Sequence, residues 1–221
     1  MNAGQISIVV VDDHQVVADA LSIVMRGESD LRIVGTAGTI AACLSLTRRT
    51  CPDVLLLDVS LPDGNGLTLI PVLKRWCPQT HVLVLTSLED EVTLLRAVDA
   101  GTAGFLAKSA PLAQVLAGIR QAAEGEIVMP PSLLLGLLGR VVLRRTAKTT
   151  APVDESLTQR EREILRHLAQ AASVVDIAAE LNIAPITVRT HIRNLLGKLK
   201  AHSRLEAVVL ALRDGIIETP I

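Results

Sequence analysis

Residues 54–62 read Val-Leu-Leu-Leu-Asp-Val-Ser-Leu-Pro, an aliphatic run that ends on Asp58. A short apolar run bounded by polar and turn residues is typical of a strand buried on both faces of a parallel sheet. Similar β-branched or aliphatic runs lie on either side of it in the sequence. Together with residues 54–57 they predict five strands, the others at residues 6–11, 31–36, 82–86 and 104–107.

The segments between these runs have helical spacing. Val16, Ala20 and Val24 recur at i, i+4 and i+8, which predicts the buried face of the first helix. Leu94, Leu95 and Val98 form a similar group later in the chain. Alternating strands and helices predict an α/β fold, a doubly wound, flavodoxin-like parallel sheet of five strands with helices on both faces.

Polar residues occupy the ends of the predicted strands. Asp12 and Asp13 follow the first strand, Asp58 the third, Thr86 ends the fourth and Lys108 follows the fifth. Ligands bind beyond the carboxyl ends of the strands in such sheets, and those ends share one edge. Neighbouring carboxylates repel unless a cation neutralises them, so the pattern predicts a site for a hard divalent ion, Mg²⁺ or Mn²⁺.

These residues resemble the receiver domain of two-component systems. The resemblance is carried by Asp12-Asp13, by Asp58 with Leu61-Pro62, by Thr86-Ser87 and by residues 104–108 (Gly-Phe-Leu-Ala-Lys), and the predicted receiver domain spans residues 1–127. It implies that Asp58 is the phosphoacceptor. It also implies that Mg²⁺ is held by Asp12, Asp13, Asp58 and the backbone carbonyl of Ser60. Thr86, Phe105 and Lys108 would sense the phosphoryl group and switch the domain.

A phosphatase of the haloacid-dehalogenase type also uses an aspartyl nucleophile with Mg²⁺. Such an enzyme needs a second aspartate two residues later as general acid, and Ser60 stands at that position. A dinucleotide enzyme is disfavoured because no Gly-x-Gly-x-x-Gly follows the first strand. We therefore expect a phosphoacceptor that catalyses only its own phosphoryl transfer and dephosphorylation.

The composition limits the other function classes. The 221 residues carry 22 Lys and Arg against 23 Asp and Glu, 49% are hydrophobic, and Trp76 and Phe105 are the aromatic residues. So few aromatic residues disfavour an RNA-binding sheet that stacks bases. Cys43, Cys51 and Cys77 form no Cys-x-x-Cys pair, and no targeting segment is evident, so we expect free thiols in the cytoplasm.

Charge divides the chain into an acidic front half and a basic later segment. Residues 1–130 hold nine Lys and Arg against 14 Asp and Glu, whereas residues 185–213 hold six against one. Between the halves, residues 128–154 form the predicted linker, with a short apolar helix at residues 133–143. The apolar stripe of this helix (Leu133, Leu134, Leu137, Leu138 and Val141) must be covered by the receiver, by the second domain or by a partner subunit. It is too short to span a membrane.

The last part of the chain, residues 155–221, predicts an all-α domain. Thr158–x–x–Glu161 is a capping box, Ser173 caps a second helix, and a third helix is predicted over residues 185–199. The small residue Ala178 allows the second and third helices to cross closely, as in a helix-turn-helix. Arg189, Thr190 and Arg193 lie on the outward face of the third helix, where guanidinium groups can contact bases or phosphates in a major groove.

This part resembles the LuxR/NarL-type four-helix DNA-binding domain. The matching runs are residues 157–163 (Leu-Thr-Gln-Arg-Glu-Arg-Glu), 177–183, 187–192 (Thr-Val-Arg-Thr-His-Ile) and 198–207. The resemblance implies base or phosphate contacts by Arg189, Thr190 and Arg193. It further implies backbone contacts by Thr187 and Lys198, and dimerisation of the DNA-binding domains through the last helix (Leu205, Val208, Val209 and Leu212).

The sequence therefore predicts a response regulator and transcription factor of the NarL/LuxR (FixJ) type. We expect a sensor histidine kinase to phosphorylate Asp58, and the active homodimer to bind an inverted repeat in promoter DNA. RNA polymerase is a further candidate partner. Two alternatives stay open, a DNA-binding regulator whose receiver acts without phosphorylation and an interaction protein that does not bind DNA.

Overall fold

The computed structural model describes residues 4–86, 91–145 and 157–218. It divides into two compact units, Met1–Val128 and Met129–Ile221. Residues 146–154 of the predicted linker (residues 128–154) lie outside the described residues. Among the described residues no helix combines the length and the apolar character that crossing a bilayer requires.

The first unit is built on a five-stranded parallel sheet with strand order β2-β1-β3-β6-β7. These strands are β1 (Ile6–Val11), β2 (Leu31–Ala37), β3 (Val54–Asp58), β6 (His81–Thr86) and β7 (Gly104–Ala107). A short antiparallel ribbon, β4 (Ser60–Leu61) and β5 (Gly64–Asn65), follows β3. The predicted doubly wound fold is confirmed, with strand bounds within one residue of those expected.

The described residues of this unit form five helices. They are α1 (Gln15–Met25), α2 (Ile40–Thr50), α3 (Leu69–Trp76), α4 (Glu91–Asp99) and α5 (Leu112–Ala123), with one 3-10 turn at Gly66–Thr68. Residues of α1 and α5, such as Met25 and Ile119, pack on Ile8 and Leu56 of the sheet. Because strand side chains alternate, Val9 and Leu55 point to the opposite face, and they are also fully buried.

The prediction for the buried face of α1 was wrong for two of its three residues, since Val24 is half-buried and packs against the core. Val16 is 80% exposed, whereas the buried residues are Ala18, Leu21 and Met25. Both sets have helical spacing, so periodicity alone does not choose between them. Leu21 and Met25 bring more apolar surface to the sheet than Ala20 and Val24, and burial of that surface decides the rotation of the helix.

The cysteine prediction was also wrong in part. Cys51 and Cys77 form a disulfide with a Cα–Cα distance of 5.4 Å, and Cys43 is a free, buried thiol. The two cysteines are 26 residues apart in the sequence, so no local motif predicts that they pair. It arises because α2 and α3 are neighbours and the two cysteines stand at their C-terminal ends.

The second unit is helical. It contains α6 (Pro131–Arg145), α7 (Gln159–Ala169), α8 (Val174–Glu180), α9 (Pro185–Leu199) and α10 (Arg204–Arg213). The capping boxes at Thr158 and Ser173 are both formed, and Asn182 has the positive φ of 50° that the turn before α9 uses. Ile164, Ile177 and Val188 belong to the core of this unit, as predicted.

Helix α6 begins at Pro131, two residues before the predicted start, because proline suits the first turn of a helix. Leu134, Leu137, Leu138 and Val141 are buried, which confirms most of the apolar stripe. Within the second unit α6 packs against α10. The apolar stripe of α6 is therefore covered by the second domain, which was one of the three expected possibilities. Helix α6 belongs to the second unit.

Candidate functional site

The register of the sheet brings the predicted site residues to one edge. Val11 pairs with Leu57, Asp58 with Leu85, and Thr86 with Ala107, so these strands end side by side. Asp12 and Lys108 are the residues directly after β1 and β7. The parallel arrangement alone is thus sufficient to place the acidic residues and the lysine next to one another.

Asp58 and Asp12 are both 3% exposed, which is exceptional for carboxylates. The ammonium group of Lys108 donates a hydrogen bond to Oδ2 of Asp58. The same Nζ atom lies 3.5 Å from Oδ2 of Asp12. Burial by itself would lower the pKa of Lys108, but attraction to Asp58, and less strongly to Asp12, outweighs it and raises that pKa. Lys108 therefore remains a fixed positive charge against the buried carboxylates.

The backbone around Asp58 holds its carboxylate in place. The N–H of Ser60 donates to Oδ1 of Asp58 over 3.2 Å. Gly66 lies so close that a Cβ atom there would stand 2.2 Å from the carbonyl oxygen of Asp58. The N–H of Gly66 donates to the carbonyl of Val59 over 2.7 Å, which ties the turn after the β4–β5 ribbon to the end of β3. The site thus requires a residue without a side chain at position 66.

His14 also belongs to the acidic cluster, although it is not part of the motifs described above. Its Nδ1 atom lies 3.1 Å from Oδ1 of Asp12 and 2.8 Å from Oδ1 of Asp13. Its backbone N–H also donates to Oδ1 of Asp12 over 2.8 Å. The position directly after the acidic pair is the one signal in the sequence that could have identified this residue.

The donor atoms of Asp12, Asp13, His14 and Asp58 lie within 4.8 Å of one another. Oδ2 of Asp12 is buried and accepts no hydrogen bond from the described residues. A buried carboxylate oxygen without a hydrogen bond is costly unless cations compensate it, and the single ammonium of Lys108 faces both this oxygen, at 3.5 Å, and the carboxylate of Asp58 to which it donates. The three carboxylates offer the hard oxygen ligands that Mg²⁺ and Mn²⁺ prefer, so the residues present fit such an ion.

The remaining predicted switch residues line the same edge. Thr86 is half-buried at the end of β6, and its carbonyl accepts a hydrogen bond from the N–H of Lys108 over 3.0 Å. Phe105 is 1% exposed, so its ring lies inside the first unit. Ser87, which contributed to the receiver resemblance, lies outside the described residues.

The second candidate site is the outward face of α9. Arg189, Thr190 and Arg193 are exposed on this face and Thr187 is half-buried, while the opposite face is buried through Val188, Ile192 and Leu195. The predicted rotation of the helix is therefore confirmed. Ala184 occupies the N-cap of α9 without a side-chain hydrogen bond, so the first N–H groups of this helix have no side-chain cap.

Lys198, near the end of α9, has an intramolecular partner. Its Nζ atom lies 2.7 Å from Oε2 of Glu161, a carboxylate only 2% exposed. The same oxygen accepts the N–H of Thr158 over 2.8 Å. Although burial would raise the pKa of Glu161, the hydrogen bonds from Lys198 and Thr158 lower it. The predicted DNA contact of Lys198 stays a prediction, and it would compete with this ion pair.

The four residues predicted to form a dimer surface lie in the core of the second unit. Leu205, Val208 and Leu212 are fully buried and Val209 is 3% exposed. Helix α10 carries them and packs against α6, α7 and α9, which leaves these side chains no access to a second subunit in this arrangement. The sequence pattern identified the apolar residues correctly but did not show that α6 and its neighbours cover them.

Comparisons with known proteins match both parts of the chain to families. The family model "Response regulator receiver domain" matches residues 8–120, and "Bacterial regulatory proteins, luxR family" matches residues 155–211. The response regulator protein VraR of Staphylococcus aureus (strain Mu3) is 32% identical over 213 residues, which cover 96% of this chain and 99% of VraR.

Two solved structures extend the comparison. The response regulator ChrA of a heme-sensing two-component system is 29% identical and covers 97% of this chain and 100% of its own, with a TM-score of 0.50. RcsB from Salmonella enterica serovar Typhimurium, solved bound to promoter P1flhDC with the phosphomimetic BeF3-, is 22% identical. It covers 95% of this chain and 99% of its own with a TM-score of 0.56, and this likeness concerns the fold. The chain belongs to the response regulators, with a receiver domain followed by a LuxR-type helix-turn-helix domain.

Proposed function

We propose that Asp58 accepts a phosphoryl group from a sensor histidine kinase with the help of Mg²⁺, and that this controls binding of promoter DNA by α9. The observation that carries the proposal is the buried pair of Asp12 and Asp58 against the ammonium of Lys108. A carboxylate oxygen of Asp58 attacks phosphorus, the P–N bond to the phosphohistidine of the kinase breaks, and the imidazole leaves and takes up a proton. The chain thus catalyses only its own phosphorylation and dephosphorylation.

Each neighbour has a part in this reaction. A bound Mg²⁺ ion would be held by Asp12, Asp13, Asp58 and the carbonyl of Ser60, and it would supply positive charge to the transferring oxygens. Lys108 adds a fixed positive charge to the same oxygens. The hydroxyl of Thr86 donates to the phosphoryl group after transfer, and Phe105 adjusts its packing in response.

The response must favour one conformation or assembly over another by a differential free energy, because a ligand without that preference shifts no equilibrium. We propose that the favoured state is a homodimer in which two α9 helices enter successive major grooves of an inverted repeat, about 34–36 Å apart. Arg189, Thr190 and Arg193 contact bases or phosphates, and Thr187 and Lys198 contact the backbone. The protein acts in the cytoplasm, where promoter DNA and RNA polymerase are found.

Phosphorylation is tested by treating the purified full chain with acetyl phosphate, with and without Mg²⁺, and measuring the intact mass. We expect one phosphoryl adduct that requires Mg²⁺ and is absent from Asp58→Asn. Asp19→Asn, which removes an exposed carboxylate on α1, is the matched control and should be phosphorylated like the natural chain. An adduct that persists in Asp58→Asn would refute the assignment.

Measurements of DNA binding distinguish this proposal from its two alternatives, a DNA-binding regulator whose receiver acts without phosphorylation and an interaction protein that does not bind DNA. If Asp58→Asn and the phosphorylated chain bind DNA equally, the receiver acts without phosphorylation. If neither binds duplex DNA above the level of an Arg189→Ala/Arg193→Ala variant, the chain is an interaction protein.

A further inference from the structure

The disulfide joins two helix ends at the edge of the sheet opposite the phosphorylation site. Cys51 is the C-cap of α2 and Cys77 is the C-cap of α3. The strands that follow these cysteines, β3 and β6, run away from them toward Asp58 and Thr86. The bond closes the segment that contains β3, Asp58 and α3, but it does not touch the acidic cluster.

The fold holds the two cysteines together by other means as well. The hydroxyl of Thr80 donates to the carbonyl of Pro52 over 2.6 Å, next to Cys51. The N–H of His81 donates to the carbonyl of Asp53 over 2.9 Å. The buried ammonium of Lys74 donates to the carbonyl of Thr80 over 2.9 Å. The first two bonds join the turn after Cys51 to the turn after Cys77, and the third orders the turn after Cys77, so these turns are held side by side by bonds other than the S–S bond.

The two sulfur positions differ in access. Cys51 is exposed, whereas Cys77 is 4% exposed, so an external reagent reaches the bond at Cys51. Cys43 is fully buried, and burial raises its thiol pKa to about 12, so it is a poor competitor for Cys51.

We infer that Cys51 and Cys77 form a reversible redox modification site of the receiver domain, oxidised by hydroperoxides and reduced by dithiols. The inference rests on the proposed cytoplasmic function, because disulfides in that compartment are transient or redox-sensing rather than permanent. An exposed cysteine beside a resolving cysteine is the arrangement that such sensing uses.

The proposed oxidation of Cys51 and Cys77 requires a hydroperoxide as oxidant and no metal ion. The Cys51 thiolate attacks one oxygen of the hydroperoxide, the O–O bond breaks to give a sulfenic acid, and the hydroxide (or alkoxide) that leaves takes a proton from solvent to become water (or an alcohol). The Cys77 thiolate then attacks the Cys51 sulfur, the S–S bond forms, and hydroxide leaves and is protonated. Two thiols have lost two electrons to the peroxide. In the reverse direction a dithiol attacks Cys51, releases Cys77 and then closes its own disulfide while releasing Cys51.

The experiment uses the purified full chain, first reduced with dithiothreitol and then treated with hydrogen peroxide. Reactive thiols are counted by N-ethylmaleimide labelling and intact mass under native conditions. Fluorescence of Trp76, the neighbour of Cys77, is followed in parallel because a disulfide quenches a nearby indole. Cys43→Ser is the matched control that retains the pair, and Cys51→Ser removes the exposed sulfur.

We expect peroxide to remove two hydrogen atoms from the reduced chain, to abolish maleimide labelling of Cys51 and to quench Trp76, and dithiothreitol to reverse all three changes. Cys43→Ser should behave like the natural chain, and Cys51→Ser should show none of these changes.

Two results would overturn the inference. One is a bond that native dithiothreitol does not open, and the other is peroxide oxidation of Cys51 that stops at an oxygen adduct. Acetyl phosphate labelling of Asp58 is measured on the same samples, so a failure of the redox site is distinguished from a failure of the phosphorylation site.

Discussion

Substituting Lys198 by methionine tests how much the ion pair between Lys198 of α9 and Glu161 of α7 stabilises the second unit. The variant keeps the length and apolar stem of the side chain but removes the ammonium that lies 2.7 Å from Glu161. Breaking a fully buried pair by removing one partner costs about 3–5 kcal/mol. The Lys198 side chain is 33% exposed, so water replaces part of the lost interaction. We therefore expect the free energy of unfolding of this unit to fall by about 1–2 kcal/mol.

Urea unfolding at pH 7, followed by helical circular dichroism, measures this loss. Lys200→Met is the matched control because Lys200 is exposed and lies close to Lys198 in the chain, and we expect it to change stability by less than about 0.5 kcal/mol. A double-mutant cycle combines Lys198→Met with Glu161→Gln. The double variant should lose about 1 kcal/mol less free energy of unfolding than the sum of the two single losses, because both single changes break the same interaction.

The pH dependence of the same pair has a definite sign. The pKa of Glu161 in the folded chain lies below its ordinary value of 4.5. Its stabilising contribution is therefore present above that ordinary value and is lost as the pH falls through the lower folded value. The stability difference between the natural chain and Glu161→Gln should shrink below about pH 4.5. Additive losses in the cycle, or a difference that grows on acidification, would refute the reasoning.

Further predictions concern both sites. Arg189→Ala should weaken binding to an inverted-repeat duplex by about 1–3 kcal/mol if it reads a base. Arg193→Ala should reduce the slope of log affinity against log salt by about 0.9 if it contacts a phosphate, and an unchanged slope in an anisotropy titration would exclude that contact. Ala184→Ser should supply the missing N-cap of α9 and raise the free energy of unfolding by about 1 kcal/mol in urea, and no gain would show that the first turn is capped in another way. Gly66→Ala should lower phosphorylation by acetyl phosphate because its Cβ would displace the backbone of Asp58, and a rate equal to that of the natural chain would contradict the close approach.

The strands and the acidic cluster could be predicted from the sequence because they depend on local patterns. An aliphatic run that ends on a polar residue marks both a buried strand and its carboxyl end. Parallel pairing then brings Asp12, Asp58 and Lys108 together without further information. The rotation of α9 followed in the same way from Val188 and Ile192, which leave Arg189 and Arg193 on the opposite face.

Features that depend on contacts between distant segments were not predictable in this way. The disulfide between Cys51 and Cys77 requires α2 and α3 to end side by side. The burial of Leu205 and its neighbours in α10 requires α6 to pack on that helix, which was one of three open alternatives. The wrong face of α1 was chosen because two sets of residues share the same periodicity, and only the size of the side chains separates them.

The measurement that tests the central claim most directly is the DNA affinity of the full chain with and without a phosphoryl group on Asp58. The probe is an inverted-repeat duplex selected from a random pool, and the affinity is read by fluorescence anisotropy with acetyl phosphate and Mg²⁺ present or absent. The account predicts a gain of about tenfold or more, equivalent to about 1.4 kcal/mol, that Asp58→Asn abolishes. Equal affinities of the phosphorylated chain, the unmodified chain and Asp58→Asn would contradict it.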